Sequence, residues 1–87
     1  MHRTLADFWK DYAGLPAKIR ARADKQFALL RENPLHPSLH FKKLTERNGQ
    51  EIWSARVTLN YRALAVKVGS DYVWFWIGEH GTYNHII

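Results

Sequence analysis

Residues 51–68 read EIWSARVTLNYRALAVKV, and this stretch decides the fold. Its first half alternates, with Trp53, Ala55 and Val57 set against Ser54, Arg56 and Thr58. Side chains two apart share a face of a strand, so this period of two predicts a strand from about Glu51 to Thr58. A tight turn near Leu59 and Asn60 then leads into a second strand, Tyr61 through Val68. The stretch therefore predicts an antiparallel hairpin with polar side chains on one face.

Two further strands extend this hairpin. The pair Asn48-Gly49 is a strong turn signal, and a short strand is predicted before it, from Leu39 to Leu44. The turn at residues 69–71 leads to a last strand, Tyr72 through Gly78. That strand is apolar on both faces, which indicates a central place in the sheet or a face covered by another molecule.

The N-terminal third shows helical spacing instead. Apolar residues at positions 5, 8, 9, 12 and 15 predict a first helix, which Thr4 can cap and Gly14 can end. Pro16 suits the first position of a second helix that runs to about Glu32. Asn33-Pro34 stops it, and its predicted buried stripe consists of Ile19, Ala23, Phe27 and Leu30.

Together these patterns predict an α+β fold, with two N-terminal helices packed on one face of an antiparallel sheet. Eighty-seven residues predict a single domain, residues 1–87. The sequence has no cysteine, no apolar run long enough for a membrane helix and no apolar segment typical of a secretory signal. We therefore expect a cytoplasmic protein without a membrane partner.

The charge is unbalanced. Thirteen Lys and Arg against eight Asp and Glu give a formal net charge of +5. Such an excess favours a polyanionic partner, either nucleic acid or an acidic protein. A surface charge that only keeps the protein in solution is the alternative.

Four stretches, in their order and spacing, resemble one known family. They are residues 8–12 with Leu15-Pro16, residues 33–39, residues 53–57 with 61–64, and residues 74–78 followed by His80 and Tyr83. The chain resembles, over essentially its whole length, the RelE/ParE superfamily of type II toxins, and especially its RelE-like branch. The family's first strand precedes the helices, and only Met1 to Thr4 could supply it here.

The resemblance implies a fold, with two helices against a curved antiparallel sheet, and it also implies a function. Active RelE-like toxins cut mRNA, often in the ribosomal A site, without a metal ion or other cofactor, and thereby inhibit translation. A cognate antitoxin wraps the toxin and blocks its active site, in some cases within a heterotetramer or a larger assembly. The partners expected from this resemblance are an antitoxin, mRNA and the ribosome.

Cleavage of RNA without a metal needs a proton acceptor for the 2′-hydroxyl, stabilisation of the phosphorane and a proton for the leaving 5′-oxygen. It yields a 2′,3′-cyclic phosphate. Guanidinium groups suit the second task because they stay charged and bind phosphate oxygens with two hydrogen bonds. Arg56 and Arg62 lie on adjacent predicted strands around a tight turn, so their side chains can converge. A solvated arginine at position 56 and a structural ion pair at position 62 are the alternatives.

Histidine suits proton transfer because its pKa lies near working pH. By the resemblance, His80 is the general acid or base and Tyr83 stacks on a base or orients the phosphate, although an isolated histidine near a C-terminus usually has no such role. His40, Lys42, Lys43 and Ser54 are the candidate substrate-binding residues, with ordinary solvated lysines as the alternative. Trp74 and Trp76, which the period of two puts on one face, could stack on bases, lie in the core or contact the antitoxin.

Other chemistries fit poorly. Pro37 separates His36 from His40 and argues against a helical metal pair, and glycine-rich phosphate loops and nucleophile motifs are absent. Two alternatives in function remain. One is a ParE-like inhibitor of DNA gyrase on the same fold, and the other is an inactive relic that only binds antitoxin or nucleic acid.

Overall fold

The structure, a computed structural model, describes residues 1–83, and for Tyr83 it describes the backbone alone. A five-stranded sheet has the strand order β1-β5-β4-β3-β2. In chain order the elements are β1 (His2–Thr4), α1 (Ala6–Ala13), α2 (Ala17–Glu32), a 3-10 turn (Pro37–Leu39), β2 (Lys42–Arg47), β3 (Gln50–Arg56), β4 (Tyr61–Val68), β5 (Asp71–Glu79) and α3 (His80–Tyr83). The predicted α+β class is confirmed.

The sheet is mixed rather than purely antiparallel, because β1 pairs parallel with β5 at one edge. Strand β1 is only three residues long, and contacts of its N-terminus and side chains hold it against β5. The Met1 ammonium lies 3.3 Å from Asp71 Oδ1, and an Arg3 nitrogen lies 3.4 Å from Asp71 Oδ2. Trp74 Nε1 donates a hydrogen bond to His2 Nδ1 at 3.0 Å. The strand that only Met1–Thr4 could supply is therefore present.

Both long helices pack on one side of the sheet, which we call the core face. There Leu30 of α2 joins a buried cluster with Ala55, Ala63 and Ile77 of the strands. The predicted stripe of α2 was wrong at Phe27, which is 36% exposed, while Gln26 is only 5% exposed. Helix α2 turns residues 23, 26 and 30 toward the sheet, a spacing of three and four that leaves position 27 at the flank.

The segment before β2 does not extend as predicted. The proposed strand from Leu39 to Leu44 begins only at Lys42, because Pro37–Leu39 form a 3-10 turn. His36 caps this turn by accepting a hydrogen bond from the backbone N–H of Ser38. Leu39 enters the core with no exposed surface, and His40 ends the turn in the left-handed region, with φ of 43°.

The remaining boundaries agree closely with the sequence patterns. The turn between β2 and β3 has positive φ at both Asn48 (52°) and Gly49 (80°), as a two-residue type I′ hairpin requires.

Two capping predictions were wrong. Leu5 rather than Thr4 precedes α1, and the Thr4 hydroxyl instead accepts a hydrogen bond from Trp9 Nε1. Pro16 precedes α2 instead of starting it.

A β-bulge in β5 changes which side chains share a face. Leu64 pairs with Trp76, but the next residue, Ala65, pairs with Trp74, so Phe75 is the extra residue. Trp74 therefore lies on the core face, where it is 2% exposed, and Trp76 lies on the opposite face. The expectation that these tryptophans share a face was wrong.

No helix within residues 1–83 combines the length and the apolar character needed to cross a bilayer.

Candidate functional site

The face of the sheet away from the helices, here called the second face, carries the polar row of the central strands. Arg56 of β3 pairs directly with Arg62 of β4, and Arg62 pairs in turn with Gly78 of β5. Residues directly opposite on neighbouring strands have Cβ atoms about 4.5–5.5 Å apart and share a face. Two guanidinium side chains therefore start side by side near the end of the sheet.

Arg56 is half-buried. Its Nε is buried and has no hydrogen-bond partner among the described residues. A buried N–H without a partner costs free energy until an acceptor reaches it. An anionic oxygen that approached the guanidinium would neutralise its charge, and Nε would gain an acceptor only after the side chain moved to expose that nitrogen.

Arg62 is held by the turn that joins β3 to β4. Its Nη1 donates to the carbonyl oxygen of Thr58 at 2.7 Å, with longer contacts of 3.4 Å to the carbonyls of Leu59 and Tyr61. These bonds use one nitrogen of a group that carries five N–H donors. The turn thus fixes the direction of the Arg62 side chain.

His80 is anchored to the same turn. Its backbone N–H donates to the carbonyl oxygen of Asn60 at 2.6 Å, and it is the first residue of α3. Its side chain is exposed. Arg62 and His80 therefore approach the 58–61 turn from two neighbouring strands. Tyr83 ends α3, and the predicted role of its side chain lies outside what the structure describes.

His40 lies close enough to the two arginines for their charges to act on its imidazole. The Arg56 guanidinium is the main cause of a lowered pKa at His40, followed by partial desolvation of the ring and by the charges of Arg62 and Lys42. A cation nearby disfavours the protonated imidazole, so this histidine is neutral at pH 7. The sequence assigned His40 to substrate binding, but it gave no indication that this histidine adjoins both arginines.

The other substrate-binding candidates do not lie together on one face of the sheet. Lys42 pairs with Ser54 and so shares the second face with Arg56, and its side chain is exposed. Lys43 pairs with Trp53 on the core-face side, where its Nζ contacts Glu46 Oε1 at 3.1 Å. That contact raises the pKa of Lys43, chiefly through the hydrogen bond from Nζ to the Glu46 carboxylate. Ser54 is 4% exposed and lies beneath the surface.

Gln26 is a residue that the sequence analysis missed. From α2 its Nε2 donates to the carbonyl oxygens of Ser38 (3.3 Å) and Arg56 (3.1 Å). One buried amide therefore ties the turn that carries His40 to the strand that carries Arg56. Its position three residues after Ala23, on the buried side of an amphipathic helix, was the only signal in the sequence.

Trp76 lies on the second face next to the arginines, where its indole packs against Gly78. A Cβ on Gly78 would lie 2.6 Å from Cζ2 of Trp76, so the indole lies directly against the glycine backbone. The glycine is therefore needed for the close approach of the indole, which covers the glycine backbone opposite Arg62.

The arrangement combines positive charge with a neutral imidazole. Arg56, Arg62 and Lys42 all raise the electrostatic potential at His40. Such a cluster attracts an anion with several oxygens, and guanidinium groups bind phosphate through paired hydrogen bonds. The geometry therefore suits a phosphodiester more than a neutral substrate.

Comparison with known proteins agrees with this fold. A sequence model described as the ParE-like toxin domain matches residues 17–85. No curated protein matches the sequence significantly.

Several solved structures share the architecture. The chain is similar to a RelB–RelE antitoxin–toxin complex from Methanococcus jannaschii, with a TM-score of 0.72, 17% identity and coverage of 98% of both chains. An archaeal RelE–RelB complex from Pyrococcus horikoshii gives a TM-score of 0.70 at 15% identity, covering 93% of this chain and 94% of that one. The toxin–antitoxin complex RelBE2 from Mycobacterium tuberculosis gives 0.64 at 26% identity, covering 92% and 96%.

The family match covers most of the chain, and the fold agrees over more than nine-tenths of it. The resemblance inferred from the sequence is thereby confirmed. The chain belongs to the ParE-like toxin domain family, within the RelE/ParE superfamily of toxins.

Proposed function

We propose that this protein is the toxin of a type II toxin–antitoxin system and acts as a metal-independent mRNA endoribonuclease that inhibits translation. The observation that carries the proposal is the Arg56–Arg62 pair on the second face, with His40 and Lys42 beside it. Acting on mRNA, and on the ribosome that holds it, places the protein in the cytoplasm.

The chemistry follows from these groups. The 2′-oxygen attacks the adjacent phosphorus, the bond from phosphorus to the 5′-oxygen breaks, and the products are a 2′,3′-cyclic phosphate and a 5′-hydroxyl. Arg56 and Arg62 stabilise the charge that develops on the phosphorane oxygens. His80 transfers a proton at the reacting centre, Tyr83 orients the substrate and Lys42 contacts a flanking phosphate. We assign no contact with the reacting phosphodiester to Lys43, which lies on the core-face side, or to Ser54, which is buried.

An antitoxin is the second partner. Three structures with this fold were crystallised as complexes of a toxin with its antitoxin. An excess of positive charge, +5, favours an antitoxin with acidic segments. Co-expression with the product of a neighbouring gene and co-purification of the pair test this partner, and the mass of the pair gives its stoichiometry.

The test of activity has two arms. Purified protein is mixed with an end-labelled RNA in EDTA, and separately with translated and untranslated reporter transcripts in the Mg²⁺ that ribosomes need. We expect fragments that end in a 2′,3′-cyclic phosphate, and loss of cleavage in Arg56→Gln and Arg62→Gln. Arg31→Gln, a matched change on α2 where the guanidinium lies 5.9 Å from the Phe27 ring, keeps full activity. Intact RNA in every condition, ribosomes included, would contradict the proposal.

A ParE-like inhibitor of DNA gyrase is the second candidate, since the matching family is described as a ParE-like toxin domain. It predicts inhibition of gyrase supercoiling by the purified protein and DNA damage on induction. An inactive relic predicts neither gyrase inhibition nor RNA fragments.

A further inference from the structure

His40 differs from the other histidines of the described residues in its setting. It follows a fully buried residue, Leu39, and adopts φ of 43° at the end of the 3-10 turn. Its backbone N–H donates to the carbonyl of Pro37 at 3.3 Å. The backbone at this position is therefore fixed from both sides, although the imidazole itself is exposed.

The same turn is fixed relative to the arginines. Gln26, which is 5% exposed, donates from one nitrogen to Ser38 O and Arg56 O. Ser38 lies two residues before His40, so the amide couples the backbone of the turn that carries His40 to the backbone of Arg56. A group that takes part in proton transfer has to be held to within about half an ångström, and this buried amide limits how far the turn that carries His40 can move from Arg56.

Nearby positive charges also act on the His40 imidazole. The charged groups that act on His40 are Arg56, Arg62 and Lys42, and all three, together with partial desolvation of the ring, lower its pKa. The imidazole is therefore neutral at pH 7, with a lone pair that can accept a proton. The same three cations bring a phosphodiester to the imidazole.

We propose that His40 is a further catalytic residue, the general base that removes the proton from the attacking 2′-hydroxyl. This inference rests on the proposed ribonuclease function. A ring nitrogen of His40 takes the 2′-proton as the bond from O2′ to phosphorus forms. As the bond from phosphorus to O5′ breaks, His80 gives O5′ a proton. His40 then releases its proton to water, and His80 regains one from water.

The test compares two histidines of one loop. His40→Asn removes the imidazole and keeps a residue that tolerates a positive φ. His36→Asn is the matched control, because asparagine can replace the capping acceptor that His36 offers to Ser38 N–H. Single-turnover cleavage of an RNA oligonucleotide is measured from pH 4.5 to 8, together with RNA affinity and circular dichroism.

We expect His40→Asn to cleave about 100-fold or more slowly at pH 7, in line with the usual effect of losing a general base. RNA affinity stays nearly unchanged. In the wild type, the cleavage rate falls at a pH below 6.5 as His40 becomes protonated. In His40→Asn, this fall on the acid side of the pH–rate profile is lost. His36→Asn keeps both the rate and the fall.

A second variant guards against a folding defect. His40→Gly accepts the same backbone conformation, and imidazole added to the buffer should restore its cleavage. Two results would overturn the role of His40 without touching the proposed function, provided that the wild-type protein cuts RNA. In one, His40→Asn cuts at the wild-type rate. In the other, His40→Asn binds RNA more weakly but cuts at the wild-type rate when RNA is saturating. Wild-type protein that cuts no RNA overturns the proposed function, and the inference with it.

Discussion

Among single residues, Gly78 connects the packing of the sheet with the candidate site. It pairs with Arg62, and the Trp76 indole lies against its Cα. We predict that Gly78→Ala destabilises the protein by about 1–3 kcal/mol, because the added methyl group forces the indole or the strand to shift. Thermal unfolding should show a Tm lower by about 4–8 °C for each kcal/mol in a domain of this size.

Gly81→Ala serves as the control. A Cβ there has no atom within 4 Å and the glycine is in α3, so alanine fits without strain. Its Tm should match or slightly exceed that of the wild type. Equal Tm values for Gly78→Ala and Gly81→Ala would show that the indole moves away without cost.

Part of the candidate site could be predicted residue by residue. The period of two in β3 and the short turn after it are enough to set Arg56 against Arg62. The position of His80 near the same turn also follows from the order of strands. The neighbourhood of His40 could not be predicted, since it depends on a 3-10 turn and on a hydrogen bond from a residue fourteen positions earlier. The catalytic roles themselves stay predictions.

At the level of elements, the strands with a clear alternation were predicted well, and the exceptions have local causes. A bulge adds one residue to β5, which no pattern of apolar residues reveals, and it moves Trp76 to the second face. β1 is too short for a period, and its place is set by contacts with β5, seventy residues away. β2 begins late because burying Leu39 in a turn competes with extending the chain.

The link between α2 and the site can be tested through Gln26. We predict that Gln26→Met, similar in shape, destabilises the protein by about 1–3 kcal/mol because the carbonyls of Ser38 and Arg56 lose a buried donor. Urea unfolding measures this free energy. Lys25→Met, the neighbouring exposed position, should change it by less than about 0.5 kcal/mol. A Gln26→Met protein as stable as the wild type would show that the core gains from the thioether as much as it loses in hydrogen bonds.

At the level of the whole molecule, positive charge lies on two sides of the sheet. One set belongs to α2 in the helical layer, with Lys18, Arg20, Arg22, Lys25 and Arg31, and the other surrounds Arg56 and Arg62 on the second face. Net charge alone attracts RNA to either side of the sheet, whereas a specific binding site on the second face contacts phosphates on that side only. Two substitutions of equal charge can therefore separate general attraction from direct contact.

We predict that Lys42→Gln and Lys25→Gln differ in the salt dependence of RNA binding. Both remove one exposed lysine, but only Lys42 shares the second face with the arginines. If Lys42 contacts one phosphate of a single strand, the slope of log K against log salt falls by about 0.7 in Lys42→Gln. Fluorescence anisotropy with a 2′-O-methyl RNA, which cannot be cleaved, measures the slope. Equal slopes in the two variants would mean that RNA responds to the total charge of the protein, and that the second face holds no phosphate at Lys42.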